Sequence, residues 1–102
     1  MPTLDLQPHH LRLLLDLLNE TVPEAEVWAY GSRVNHAAHE TSDLDLVVRN
    51  PRQLNEPLKN LHRLRDALNE SNLPILVEVH DWARLPETFR REIERQSVVT
   101  LK

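Results

Sequence analysis

Asp43 and Asp45 stand two positions apart at the mouth of an apolar run, Leu44-Asp45-Leu46-Val47-Val48. On an extended strand the side-chain period of two sends both carboxylates to one face and Leu44 and Leu46 to the other. Two like charges side by side repel unless something positive lies between them. For a pair of hard oxygen ligands the usual positive object is Mg²⁺, which takes one or two carboxylates together with substrate phosphates. Glu78 puts a third acid between Val77 and Val79, and it joins the same cluster if its strand lies beside the first. Taken singly, each acid has a plain explanation: a solvated turn before a strand, or a strand residue turned to water.

A second group of residues alters that balance. Gly31 is the only glycine among 102 residues, where average usage of about 7% would supply roughly seven. Seven prolines do most of the remaining punctuation, so one position here tolerates no side chain. Gly31-Ser32 closes the run Val27-Trp28-Ala29-Tyr30, and residues 33–42 separate it from Asp43. Bare backbone admits a phosphate closely, and a Ser hydroxyl with the N–H groups of a turn can donate to its oxygens. Phosphate donors and metal ligands therefore lie within one short stretch.

Gly-Ser, ten residues, then Asp-x-Asp with a third acid on a later strand resembles the nucleotidyltransferases of the polymerase-beta type. The match is to their minimal branch, small proteins usually paired with HEPN-type toxins, and it runs over about residues 25–101, including Asp81-Trp82-Ala83 and the arginine-rich last helix. The resemblance implies a Mg²⁺-dependent two-metal transfer with ATP as donor. Asp43 and Asp45 would hold metal, and Glu78 would complete the second metal position and help to activate the attacking hydroxyl. Gly31 and Ser32 would grip the β and γ phosphates, and Arg33 would neutralise their charge. It further implies an antitoxin that transfers AMP to a tyrosine of the partner toxin. Two positions depart from the family pattern: Glu78 stands where relatives more often have Asp, and the loop after Ser32 lacks a further glycine. A protein of the same fold that silences its partner by binding alone is the competing class.

The elements that must position these residues follow from the hydrophobic pattern. Leu11, Leu14, Leu15 and Leu18 recur at helical spacing and predict a helix over 8–19. Strands are expected over 27–30, 44–48 and 75–79, with an edge strand within 97–101. Leu54, Leu58, Leu61, Leu64 and Leu68 suggest a helix over 53–69, provided that Pro57 lies in its first turn. Pro86 opens a last helix to about residue 95, with Phe89 and Ile93 inward and Glu87 paired with Arg91. The order predicts an α/β (α+β) fold: a small mixed sheet flanked by helices, forming one domain over 1–102.

Composition bounds the function. Twelve Lys and Arg against sixteen Asp and Glu leave a net charge of −4, which argues against direct nucleic-acid binding. The absence of Cys removes disulfides and thiolate zinc sites and fits a cytoplasmic protein. Neither a signal peptide nor a membrane-spanning run is expected. Arg84, Arg90, Arg91 and Arg95 read either as a basic stripe near the phosphates or as a face paired with Glu87, Glu92 and Glu94. His36 and His39 are expected to be solvated loop residues. One domain of this length leaves no room for a surface to hold the acceptor, which the partner is expected to bring.

Overall fold

The fold was analysed in a computed structural model that describes residues 3–34 and 43–102. Helix α1 (Pro8–Thr21) starts on a proline, whose missing N–H is no loss in a first turn. Its leucine stripe buries Leu14 and Leu18 completely, and the Val22 amide closes its end on the Leu18 carbonyl at 2.9 Å. Strands β1 (Glu26–Tyr30) and β2 (Leu44–Arg49) pair antiparallel, with Trp28 opposite Val47 and Tyr30 opposite Asp45. Helix α2 (Leu61–Glu70) then carries the chain to β3 (Val77–Asp81), which lies parallel to β2. A 3-10 turn (Trp82–Arg84), helix α3 (Glu87–Arg95) and the short edge strand β4 (Val99–Thr100), antiparallel to β1, complete the chain. The sheet order is β3-β2-β1-β4, the mixed sheet expected.

The strand period divides the core in two. Val27, Ala29, Leu44, Leu46, Val48 and Val79 face α1 and α2, where Leu14, Leu18, Leu61 and Leu64 meet them. On the other face Tyr30, Val47, Trp82 and Ile93 form a smaller cluster under α3. That second face also carries Asp45 and Glu78, because each differs by one residue from a neighbour buried in the first core. Trp28 is locked at its end: the Arg49 guanidinium lies 4.0 Å from the Trp28 ring centre while its Nη2 pairs with Glu26 at 2.6 Å.

Three expectations are corrected. The helix expected over 53–69 begins only at Leu61, and Pro57 lies outside it. A proline inside a helix lacks the N–H and collides with the carbonyl four residues back, so Leu54 and Leu58 were never one stripe with Leu61. Leu54 is instead exposed, and the Leu58 amide donates to Asp81 Oδ2 at 3.1 Å. The third strand lies two residues later than 75–79, since pairing with β2 starts at Leu44 opposite Val77 and continues through Asp81. Phe89 does not turn inward with Ile93: it is 40% exposed, whereas Ile93 is fully buried.

Asp81 is the polar residue that ties these connections together. It is buried, and besides Leu58 it accepts from the Ala83 amide at 3.3 Å, with Arg84 Nε 3.9 Å away. Asp81→Ala would strand two part-buried N–H donors, a loss of about 2–3 kcal/mol at roughly 1–1.5 kcal/mol each. In a domain of this size that lowers Tm by roughly 10 °C or more, and Asp81→Asn, which keeps one acceptor oxygen, should recover part of it. Urea unfolding of the three proteins checks the order.

Candidate active site

Tyr30, the last residue of β1, hands the chain to Gly31 at φ +83°, a left-handed conformation that disfavours residues with a Cβ. A Cβ built on Gly31 would lie 2.6 Å from Asp45 Oδ2, inside any tolerable contact. Glycine is thus favoured by the backbone angle, and any side chain here would also have to displace the Asp45 carboxylate across the strand pair. The turn that follows is closed by the Val34 amide donating to the Gly31 carbonyl at 3.0 Å. The Gly31 amide donates to Gln96 Oε1 at 3.1 Å, just past the end of α3. Ser32 is half-buried beside it.

Arg33 holds this turn from beneath. Its side chain is buried, Nη1 donates to the Asp5 carbonyl at 2.8 Å, and the Asp5 amide donates to the Arg33 carbonyl at 2.6 Å. The segment ahead of α1 is therefore fastened to the glycine turn. The guanidinium expected at the phosphates is engaged in the framework of the loop.

The register aligns the acids. Asp45 is opposite Tyr30 on one side and Glu78 on the other, so these three form one row across three strands on the face of α3. Asp43 precedes β2 and is exposed. The pKa of Asp45 is raised, first by burial, then by the negative charge of Glu78 and, more weakly, Asp43; a hydrogen bond to Glu78 adds to this and His80 partly offsets it. Burial, Asp45 and Glu78 also push up the pKa of the Tyr30 phenol, which keeps a neutral hydroxyl beside the row. Phe89 forms the rim, its ring centre 6.5 Å from Tyr30 and 5.7 Å from His80.

No three acids or histidines converge closely enough to cage a metal among the described residues. A cation carried by a nucleotide needs no such cage, since phosphates supply the remaining ligands. The donors present fit that case: Asp45 is a crowded carboxylate short of counter-charge, facing a turn with no Cβ. Of the four arginines, Arg91 and Arg95 follow the second of their two readings, whereas Arg84 and Arg90 turn to the segment before the helix. Arg91 pairs with Glu87 at 3.1 Å and Glu94 at 3.6 Å, Arg95 pairs with Glu92 at 3.0 Å, and Arg90 donates to the Trp82 and Ala83 carbonyls. His36 and His39 lie outside the described residues. A cleft of about 410 Å³ lined by Thr21, Pro23, Asn50 and Lys59, among others, lies at the opposite end of the strands and contains none of the acid row.

This arrangement has relatives. The family of the central palm domain of mitochondrial-like poly(A) RNA polymerase matches residues 3–89. The "Probable protein adenylyltransferase MntA" of Haemophilus influenzae is 41% identical over 98 residues, covering 94% of this chain and 82% of that protein. The chain belongs to the minimal nucleotidyltransferases. A solved structure, "Crystal structure of the toxin-antitoxin with AMP-PNP", shares the fold with a TM-score of 0.70 at 21% identity, over 90% of this chain and 72% of that one. This minimal nucleotidyltransferase therefore has the α/β palm fold expected from its sequence, and among the described residues no helix is long and apolar enough to cross a membrane.

Three residues beside the acids were not assigned to the site by sequence. His80 follows Glu78 by one strand period, a signal that was available. Tyr30 and Gln96 gave no such signal, because their positions depend on cross-strand pairing and on where α3 ends. The raised Asp45 pKa yields a signed prediction. Between the ordinary aspartate value and the raised one, the folded state binds more protons than the unfolded, so this residue's contribution falls as pH rises through that window. Asp45→Asn should consequently melt a few degrees above wild type at pH 7, and the difference should vanish below about pH 4, where both forms are neutral. Thermal melts across pH measure it; a lower Tm at pH 7 would contradict the electrostatic reading.

Proposed function

We propose that this nucleotidyltransferase is an antitoxin that transfers AMP from ATP to a hydroxyl, a tyrosine of a HEPN-type toxin, and so neutralises it. The observation that carries this reading is the contact of Gly31 with Asp45: a turn without a Cβ placed against a carboxylate whose charge is opposed by burial and by Glu78 and only partly offset by His80. A triphosphate with its cation supplies what each half lacks. The printed names of the relatives, a protein adenylyltransferase and a toxin-antitoxin with AMP-PNP, support the donor and the partner class.

In this reading Gly31 and Ser32 bind the β and γ phosphates through the backbone amide and the hydroxyl. Arg33 serves the same phosphates by holding that turn in place rather than by reaching out from it. Asp43 and Asp45 would hold Mg²⁺ and Glu78 would complete a second position; bound metal sharpens the nucleophile and stabilises the leaving pyrophosphate. Glu78 is exposed, so it can accept the proton of the incoming hydroxyl as that oxygen bonds to the α-phosphorus and the bond to pyrophosphate breaks. Glu78 takes its place in the row directly beside Asp45 in a parallel ladder. The whole chain acts as a single domain, and the partner supplies the surface around its own hydroxyl.

Incubating the purified chain and its partner toxin with labelled ATP and Mg²⁺ tests the reading. Label should enter the toxin, and Asp43→Ala with Asp45→Ala should reduce transfer by at least a hundredfold; unchanged labelling would remove these acids from the mechanism. Gly31→Val should also abolish transfer, because its side chain must push Asp45 aside. It should lose about 1–2 kcal/mol of stability from the left-handed backbone alone. A fully active Gly31→Val would refute the role of the turn.

A further inference from the structure

We infer that Gln96 is a latch on the nucleotide site, an internal stand-in for a phosphate oxygen that the incoming triphosphate must displace; this rests on the proposed binding of phosphate by Gly31. A backbone amide has one hydrogen, and in this structure the Gly31 hydrogen is directed at Gln96 Oε1 at 3.1 Å. The same amide cannot make a second strong bond to a phosphate. Gln96 is exposed, so its side chain can swing away without leaving a cavity.

The rest of the side chain holds the oxygen in place. Gln96 caps the end of α3, where its own amide donates to the Ile93 carbonyl at 3.3 Å and its Nε2 donates to the Glu92 carbonyl, also at 3.3 Å. The carboxamide therefore bridges the last turn of α3 to the turn after β1, elements 65 residues apart in sequence. A neutral acceptor there satisfies the amide in the absence of nucleotide and yields to a more basic phosphate oxygen when one arrives. An exposed bond of this kind lowers the fraction of molecules with a free amide, and the apparent affinity falls by that fraction. The latch sets how much nucleotide is needed rather than blocking the site.

The lone glycine supplies the probe. Protein labelled with ¹⁵N-glycine gives a single Gly31 amide resonance, recorded on the isolated chain while it is titrated with ATP and Mg²⁺. In the free protein Gln96→Ala should move the Gly31 proton upfield, as expected when its hydrogen bond is lost. Gln96→Ala should then bind about three- to tenfold more tightly than wild type, the range a single displaced hydrogen bond carries. Gln96→Glu, which keeps an acceptor but adds negative charge, should bind more weakly than wild type. Gln96→Met, with similar length and no carboxamide, should behave like Gln96→Ala and guards against an effect of truncation. Wild type and Gln96→Ala binding with equal Kd, or Gln96→Ala binding more weakly, would overturn the latch alone. Failure of every variant to bind would overturn both the latch and the proposed nucleotide site.

Discussion

The meeting of Gly31 with Asp45 sets the terms for the rest of this structure. A hydrogen in place of a methyl at one backbone position lets a carboxylate oxygen from the neighbouring strand lie 2.6 Å from where a Cβ would be. The two chain segments can approach like this only because β1 ends at Tyr30 opposite Asp45, so that the turn leaves the sheet beside the acid. Gly31 takes a left-handed φ of +83° there, and the turn after it closes through the Val34 amide. The glycine turn and the acid row come from opposite sides of this one contact.

The surrounding core exists to hold that register. A one-residue slip of β2 against β1 would exchange the faces of β2, burying Asp45 against α1 and α2 and turning Leu44 and Leu46 to the other side. Six sheet residues packed on the leucines of the two helices resist such a slip. On the other face the cluster of Tyr30, Val47, Trp82 and Ile93 fills only part of the sheet. The acids occupy the rest, where they remain accessible. Asp45 is the electrostatic price of this design: burial and Glu78 both oppose its charge, and the fold holds it there against that opposition. Such a residue does not serve stability, and carboxylates with shifted pKa values cluster at functional sites.

Sequence patterns revealed much of this, and their failures have physical causes. Strands β1 and β2 and helix α1 came within two residues because local period and proline punctuation decide them. The expected helix over 53–69 failed in its first half because leucine spacing carried through Pro57, where the backbone could not. β3 shifted because hydrogen-bond pairing with β2, not apolar content, chose which residues entered the ladder. Phe89 and Ile93 share one helical stripe, yet only Ile93 reaches the core; Phe89 lies against Tyr30 and His80 and stays 40% exposed at the rim of the site.

By itself the sequence determined the chemistry on offer: one glycine, a serine after it, two aspartates at strand spacing and a third acid on a later strand. It also determined the elements that carry them, because apolar period is a local property of the chain. Tertiary structure decided which groups meet. That Asp45 stands between Tyr30 and Glu78, that Arg33 is tied beneath the loop to Asp5, and that Gln96 holds the amide of Gly31 all depend on register and on long-range closure. No local pattern encodes those distances. The lone glycine could be recognised from composition, but the carboxylate that crowds its missing Cβ came into view only when two strands were paired.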